Sequence, residues 1–174
     1  RGPLSVSVTA HGFIDPHGAL LRSGACVGDD VWITGTLGDA AAALRQWQSH
    51  RPIHPVLRAR LDRPTPRVEA GLALAGIAHA CIDISDGLLA DLGHVCRASR
   101  VGAELDIDAL PASEALIAAF DPGTRRELQV AGGDDYELCF TAPKTARLAV
   151  QEAMHACDVM ATRIGGITAD AGNT

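Results

Sequence analysis

The chain has 174 residues and 18.1 kDa, 47% hydrophobic and 21% charged, with a mean hydropathy of +0.12, which is enough apolar material for one packed domain, or a domain plus a segment of another, and excludes global disorder. A formal net charge of −6 excludes a general nucleic-acid binder, which needs a basic face. No apolar run approaches the roughly 18–20 residues that span a bilayer, and Arg1-Gly2-Pro3-Leu4 has no apolar signal-peptide core, so a cytoplasmic protein is expected.

Leu4 to Thr9 alternates apolar and polar residues and predicts a half-buried strand. After a loop with Gly12, Pro16 and Gly18, Val31 to Thr34 predicts a short buried strand. Gly35-Thr36-Leu37-Gly38-Asp39 reads as a turn opening onto an alanine-rich helix, Ala40 to Trp47. The turn lacks the Gly-Lys-Ser/Thr ending of a phosphate-binding P-loop, so a structural role is the simpler reading. Pro52, Pro55, Pro64 and Pro66 mark a polar crossing between elements. Pro66 is expected in the first turn of the next helix, which runs to about His79 with Val68, Leu72, Leu74, Ala75 and Ile77 as its apolar stripe.

Cys81 to Ile84 predicts a strand, Ser85-Asp86-Gly87 a sharp turn, and Leu88 to Ser99 a helix. Leu88, Leu89, Leu92, Val95 and Cys96 are expected inward, and Asp91, His94 and Arg97 outward. Ala103 to Ile107 alternates with Leu105 and Ile107 inward, and Pro111 and Ser113 begin a short helix through Phe120. Val130 to Asp135 is a glycine hinge leading into a strand, Tyr136 to Thr141. Lys144 to Cys157 predicts a helix with Ala146, Val150, Ala153 and Met154 on one face, and a final strand covers Met160 to Ile167. This order predicts an α+β fold, a mixed sheet with helices packed on it.

Charge is uneven: through Arg67 eight arginines face five acids, whereas from Val68 onward seven basic residues face sixteen acids. An acidic half must expose that charge, pair it, or gather some of it around cations. Five cysteines without a C-x-x-C pattern read as reduced thiols. The seven histidines, His79 among them, show no metal-ligand spacing and read as lone surface or helix residues. The chain opens inside a predicted strand and ends on a turn, so further sequence is expected on both sides.

The strongest chemical pattern is Asp83-Ile84-Ser85-Asp86-Gly87. Carboxylates three residues apart across a strand-to-helix turn can share one space, and a hard cation such as Mg²⁺ takes oxygen ligands of this kind while keeping several waters. The adjoining helix start offers N–H groups to phosphate oxygens, with Ser85 either capping the helix or donating to a phosphate. The plain alternative is that Ser85 and Asp86 only start a helix. Against that, a carboxylate at Asp83 between two isoleucines of a buried strand is costly unless paired or bound to metal. The phosphatase motif D-x-D-G-T does not apply, because Ser85 stands where its second aspartate is required. In Gly132-Gly133-Asp134-Asp135-Tyr136-Glu137-Leu138, paired glycines permit a turn beside a ligand, and Asp134 or Asp135 could accept from a cationic or amino group. An ordinary turn is the alternative.

Arg63-Pro64-Thr65-Pro66-Arg67-Val68, Ile82 to Leu88, Asp91-Leu92-Gly93-His94 and Gly132 to Phe140, with Arg22 to Ala25, Gly28-Asp29 and Thr34 to Asp39 upstream, resemble the thiamine-monophosphate kinases in order and spacing. That resemblance implies the fold of aminoimidazole-ribonucleotide synthetases and Mg²⁺-dependent transfer of the ATP γ-phosphoryl group to thiamine monophosphate. It also implies Asp83 and Asp86 as Mg²⁺ ligands, Ser85 as a contact to the ATP phosphates, and Asp134 as a contact to the thiamine substrate where the family usually has Glu. Residues 1–27 would then trail a missing N-terminal ATP-binding and dimerisation domain, and residues 28–174 would be a C-terminal α/β domain truncated at its end. The whole enzyme is expected to be a homodimer, and the fragment alone to lack useful kinase activity. A non-catalytic Mg²⁺–phosphate-binding fragment and a related ATP-dependent synthetase remain the alternative readings.

Overall fold

The computed structural model describes residues 2–14 and 18–169. Its strands are β1 (Asp30–Thr34), β2 (Ala80–Asp83), β3 (Gly102–Leu105), β4 (Leu138–Ala142) and β5 (Ala161–Thr168), and they form one sheet in the order β2-β4-β1-β5-β3. The helices are α1 (Asp39–Gln48), α2 (Pro55–Asp62), α3 (Val68–Ala73), α4 (Leu88–Ser99), α5 (Glu114–Ala119), α6 (Pro122–Ala131) and α7 (Arg147–Ala156). The α+β class is as expected. Within it the sheet is antiparallel at every described pairing rather than mixed in direction.

Period-two alternation in the central strand splits the core into two layers. Val31 and Ile33 join Ile82, Ile84, Cys139 and Ile164 under α4, which contributes Leu88, Leu92, Val95 and Cys96. On the opposite face Trp32, Phe140 and Ala142 meet Ala70, Leu74, Val150 and Met154 from the α3 region and α7. Trp32 and Phe140 stand opposite each other in register and stack with centroids 6.3 Å apart, a cross-strand aromatic pair that helps fix that register. A third cluster beside the sheet joins α1, α2, α5 and α6 through Ala42, Ala43, Leu57, Leu116 and Leu128. Among the described residues no helix is long and apolar enough to cross a membrane.

Several elements differ from the sequence reading. Leu4 to Thr9 forms no strand; its side chains are exposed, and alternation alone gives a strand no neighbour to bond. Inside the proline-rich crossing lies α2, started by Pro55 at its first turn, with the His54 ring accepting from the Val56 N–H. Helix α3 ends at Ala73, well short of His79, with Gly76 at φ 79 in the turn that follows. Its N-cap is Arg67, which places Pro66 before the helix rather than in its first turn, and Val68 and Leu72 are exposed. Helix α6 was missed: Asp121 caps it by accepting from Thr124 N–H, and Pro122 occupies its first turn. In α4 the expected faces exchange two residues, Asp91 being buried and Leu89 exposed. Ile107 begins a short 3₁₀ turn and is exposed.

Candidate functional site

The Asp83–Gly87 turn leaves the end of β2, an edge strand. Asp83 is exposed there, so the desolvation argument for it does not hold. Asp83 lines a cleft of about 620 Å³ together with Leu21, Leu72, Ile82 and Leu138. The N-cap of α4 is Gly87, with no side-chain cap bond, so Ser85 and Asp86 do not serve as the helix cap. Asp91, inside the first turn of α4, instead ties down the preceding turn: its Oδ2 accepts from the N–H groups of Ser85 and Asp86, both at 3.0 Å. Asp91 thereby fixes the turn, in which Ser85 is half-buried and Asp86 exposed. No hydrogen bond or ion pair to a described residue engages the Asp83 or Asp86 carboxylate.

The second motif lies directly against the first. Asp134 N–H donates to the Ser85 carbonyl at 2.9 Å, Tyr136 N–H to the Ile84 carbonyl at 2.8 Å, and Ile84 N–H to the Glu137 carbonyl at 2.8 Å. A Cβ on Gly133 would stand 2.4 Å from the Ser85 carbonyl oxygen, and one on Gly87 2.9 Å from that of Ala131. Glycine is therefore a requirement of contact between the two turns. Asp134 and Tyr136 hold φ of 66° and 51°, a conformation that is uncommon for a tyrosine and persists only where the surroundings impose it.

Those surroundings are buried. Along Asp134-Asp135-Tyr136-Glu137 the side chains alternate outward and inward. The Asp135 Oδ2 accepts from Gly38 N–H at 2.8 Å, at the start of α1. Burial pushes its carboxyl up to about 7, against the Gly38 hydrogen bond and the Arg60 charge. The start of α1 is thus filled by this chain's own carboxylate, consistent with a structural Gly35–Asp39 turn. Glu137 is fully buried and receives four hydrogen bonds: Arg67 Nε and Thr34 Oγ1 on Oε2, both at 2.6 Å, Arg67 Nη2 at 2.6 Å and Arg60 Nη2 at 2.7 Å on Oε1. Burial alone would raise its carboxyl, but the Arg67 and Thr34 hydrogen bonds and both guanidinium charges outweigh that and hold it below the ordinary value. Sequence reasoning did not separate Glu137, Arg60 and Asp91 as parts of this support; Asp91 and Glu137 stood inside the family-like motifs without a role, and Arg60 carried no signal.

Four expected site residues are therefore brought to one surface. Tyr136 reports their proximity: its phenol is pushed up first by the Asp134 charge, and further by burial and by the charges of Asp83 and Asp86. Asp83, Asp86 and Asp134 do not close into a three-donor cluster within 4.8 Å, so they form an acidic rim open to a ligand that brings its own oxygen atoms. The exposed carboxylates of Asp83 and Asp86, which no described residue engages, are the donor set that suits Mg²⁺, which commonly uses one or two carboxylates together with substrate phosphates; Asp134 accepts from the Tyr136 hydroxyl at 3.4 Å.

Residues 27–174 match the family described as AIR synthase related protein, C-terminal domain. The chain belongs to that family. It is 46% identical over 176 residues to the thiamine-monophosphate kinase of Salmonella typhimurium, covering 98% of this chain and 54% of the relative. The crystal structure of the Stenotrophomonas maltophilia thiamine-monophosphate kinase superimposes with a TM-score of 0.87 at 46% identity, over 91% of this chain and 53% of that one. AaThiL complexed with AMPPCP and TMP gives a TM-score of 0.75 at 33% identity, over 88% and 49%. The resemblance to thiamine-monophosphate kinases is thus borne out, while the chain spans about half the length of the relatives it matches.

Proposed function

We propose that this chain is the C-terminal domain of an ATP-dependent thiamine-monophosphate kinase, with residues 1–27 trailing a preceding nucleotide-binding domain. Asp83 and Asp86 hold Mg²⁺, Ser85 donates its hydroxyl to an ATP phosphate, and Asp134 accepts from the cationic or amino part of the thiamine substrate. The observation that carries this reading is the backbone bonding of the Ser85 turn to the Asp134 loop, with Asp83, Asp86 and Asp134 all exposed and the Asp134 carboxylate engaged, among the described residues, only by the nearby Tyr136 hydroxyl at 3.4 Å. Similarity to AaThiL complexed with AMPPCP and TMP supports the choice of substrates.

Mg²⁺ supplies neutralisation of the charge between two approaching phosphates. The chain's own residues position. The turn fixed by Asp91 keeps Ser85 and Asp86 at one spacing, and the loop held by Asp135 and Glu137 keeps Asp134 beside them. No nucleophilic side chain is required, because an acceptor phosphate is largely ionised at neutral pH. The decisive experiment measures ADP formation with thiamine monophosphate and Mg²⁺. The 174-residue chain alone is expected to turn over negligibly. A chimera carrying the first half of the Salmonella relative followed by this chain is expected to be active and to lose at least about 100-fold on Asp86→Asn, the scale of a lost electrostatic contact in a transition state. Full activity of the Asp86→Asn chimera, or turnover by the short chain near that of an intact relative, would overturn the proposal.

A further inference from the structure

Beyond the acidic rim, one group of side chains carries chemistry that the phosphoryl-transfer reading leaves unused. Cys26, Asp29 and His79 each offer one ligand atom, a thiol sulfur, a carboxylate oxygen and an imidazole nitrogen, all within 4.8 Å of one another. Their placement is fixed by backbone. Asp29 N–H donates to the Cys26 carbonyl at 3.0 Å and closes a tight turn ahead of β1. Within it the Asp29 Oδ2 accepts from Cys26 N–H at 2.9 Å and stands 2.9 Å from His79 Nδ1. His79 is held just before β2 by its N–H on the Thr141 carbonyl at 2.8 Å. The Cys26 thiol is exposed, and its own hydrogen bond is a weak one to the Gly24 carbonyl at 3.4 Å.

We propose that Cys26, Asp29 and His79 form a site for a borderline divalent transition metal, Zn²⁺ above all, with the fourth position open to water. The donor set selects the ion. Thiolate and imidazole suit Zn²⁺ and its neighbours, whereas Mg²⁺ demands oxygen ligands. The spacing also suits it. Two N/O ligands at about 2.0–2.1 Å from a tetrahedral zinc lie about 3.3 Å apart, close to the 2.9 Å between Asp29 Oδ2 and His79 Nδ1. Binding releases the thiol proton to solvent and leaves the thiolate on the metal. The site is separate from the acidic rim: His79 and Asp83 sit at opposite ends of β2, about 13 Å apart at the strand rise.

The consequence of occupancy is mechanical. Cys26 lies on the segment that runs along the outer edge of β2, where the Leu21 carbonyl accepts from Cys81 N–H at 2.8 Å. The same segment is held by Ser99 Oγ, which accepts from Gly24 and Ala25 N–H at 3.2 and 3.1 Å. A metal shared by Cys26, Asp29 and His79 clips that segment to the starts of two strands.

Cobalt is the probe, because a thiolate ligand gives Co²⁺ a charge-transfer band in the near ultraviolet. Titrating the reduced, metal-free 174-residue chain with Co²⁺ is expected to develop this band to one equivalent. Zn²⁺ should displace it, and Mg²⁺ in large excess should not. Cys26→Ser should abolish the band, Cys157→Ser should leave it unchanged, and His79→Gln should weaken Co²⁺ binding roughly 10-fold or more, the loss that even an outer-shell partner brings. No band, a band retained in Cys26→Ser, or unchanged affinity in His79→Gln overturns the proposal. A second measurement needs no variant: Zn²⁺ should slow alkylation of Cys26 by iodoacetamide in the native chain, and an unchanged rate overturns it as well.

Discussion

Glu137→Gln isolates the support of the site from the site itself, because Glu137 touches no solvent. Four donors converge on its two carboxylate oxygens, three from Arg60 and Arg67 and one from Thr34. Glutamine offers one oxygen, so at most two of those donors keep an acceptor and the others meet an amide NH₂. Both guanidinium groups lose their countercharge while staying about four-fifths buried, with side-chain exposures of 18% and 20%. Breaking a fully buried pair costs about 3–5 kcal/mol, and the partial access of the arginines to water lowers this to about 2–4 kcal/mol. Urea unfolding followed by circular dichroism reads it as a lower midpoint at unchanged slope. The sign with pH follows from the depressed folded-state carboxyl: the stabilisation is fully present above the unfolded carboxyl range and is lost as pH falls through the lower folded value. The deficit of the variant should therefore be constant from about pH 5.5 to 7 and shrink only in stronger acid. A loss below about 1 kcal/mol, the scale of a surface pair, or a deficit that grows in acid, refutes this account of the loop.

Asp91→Ala should leave the Ser85 and Asp86 N–H groups without their carboxylate, costing about 1–3 kcal/mol as lost hydrogen bonds to a charged acceptor do, with Asp91→Asn milder; thermal unfolding gives the comparison. Gly133→Ala drives a Cβ to 2.4 Å from the Ser85 carbonyl oxygen and should cost about 1–3 kcal/mol as overpacking, with faster amide exchange at Asp134 read by NMR. Asp135 titrates in the opposite sense to Glu137. Its folded carboxyl is raised to about 7, so the fold holds its proton more tightly than the unfolded chain does, and stability falls as pH rises from about 4 to 7. Asp135→Asn should remove that slope, and a wild-type stability no steeper than the variant's across this window contradicts it.

The sequence made legible those parts whose signals are local. β1, α1, α4, α5, α7 and β5 carry periodic apolar residues or cap residues within their own span, and each falls within a few residues of its expected bounds. Helix α2 is hidden in the sequence because Pro55, counted among the prolines of a crossing, occupies its first turn, as Pro122 does in α6, where the missing N–H costs nothing. The Leu4 to Thr9 segment failed for the opposite reason: it has the local pattern of a strand and no partner to make it one. Asp91 was misplaced by the same limitation. Helical phase puts it beside His94, but the unbonded N–H groups of the preceding turn draw its carboxylate inward.

The site divides along the same line. Asp83, Ser85, Asp86 and Asp134 could be singled out because oxygen-bearing side chains beside glycine turns are visible in the order of residues. What holds them together could not, since Arg60, Arg67, Thr34 and Gly38 are far from residues 134–137 in sequence and meet them only after the sheet and α1–α3 have formed. The alternation of Asp134 to Glu137 ties the two sets together. In one strand-like stride it turns Asp135 and Glu137 toward buried partners and leaves Asp134 and Tyr136 at the rim. The left-handed backbone at Tyr136 is sustained by the anchors Asp135 and Glu137 on either side, and that at Asp134 by Asp135 and by its own N–H on the Ser85 carbonyl. Weakening an inward residue should thus disturb the rim geometry before it unfolds the domain. The ordering is open to measurement: in Glu137→Gln, amide exchange at Asp134 and Tyr136 should quicken at urea concentrations where α4 and β1 remain protected.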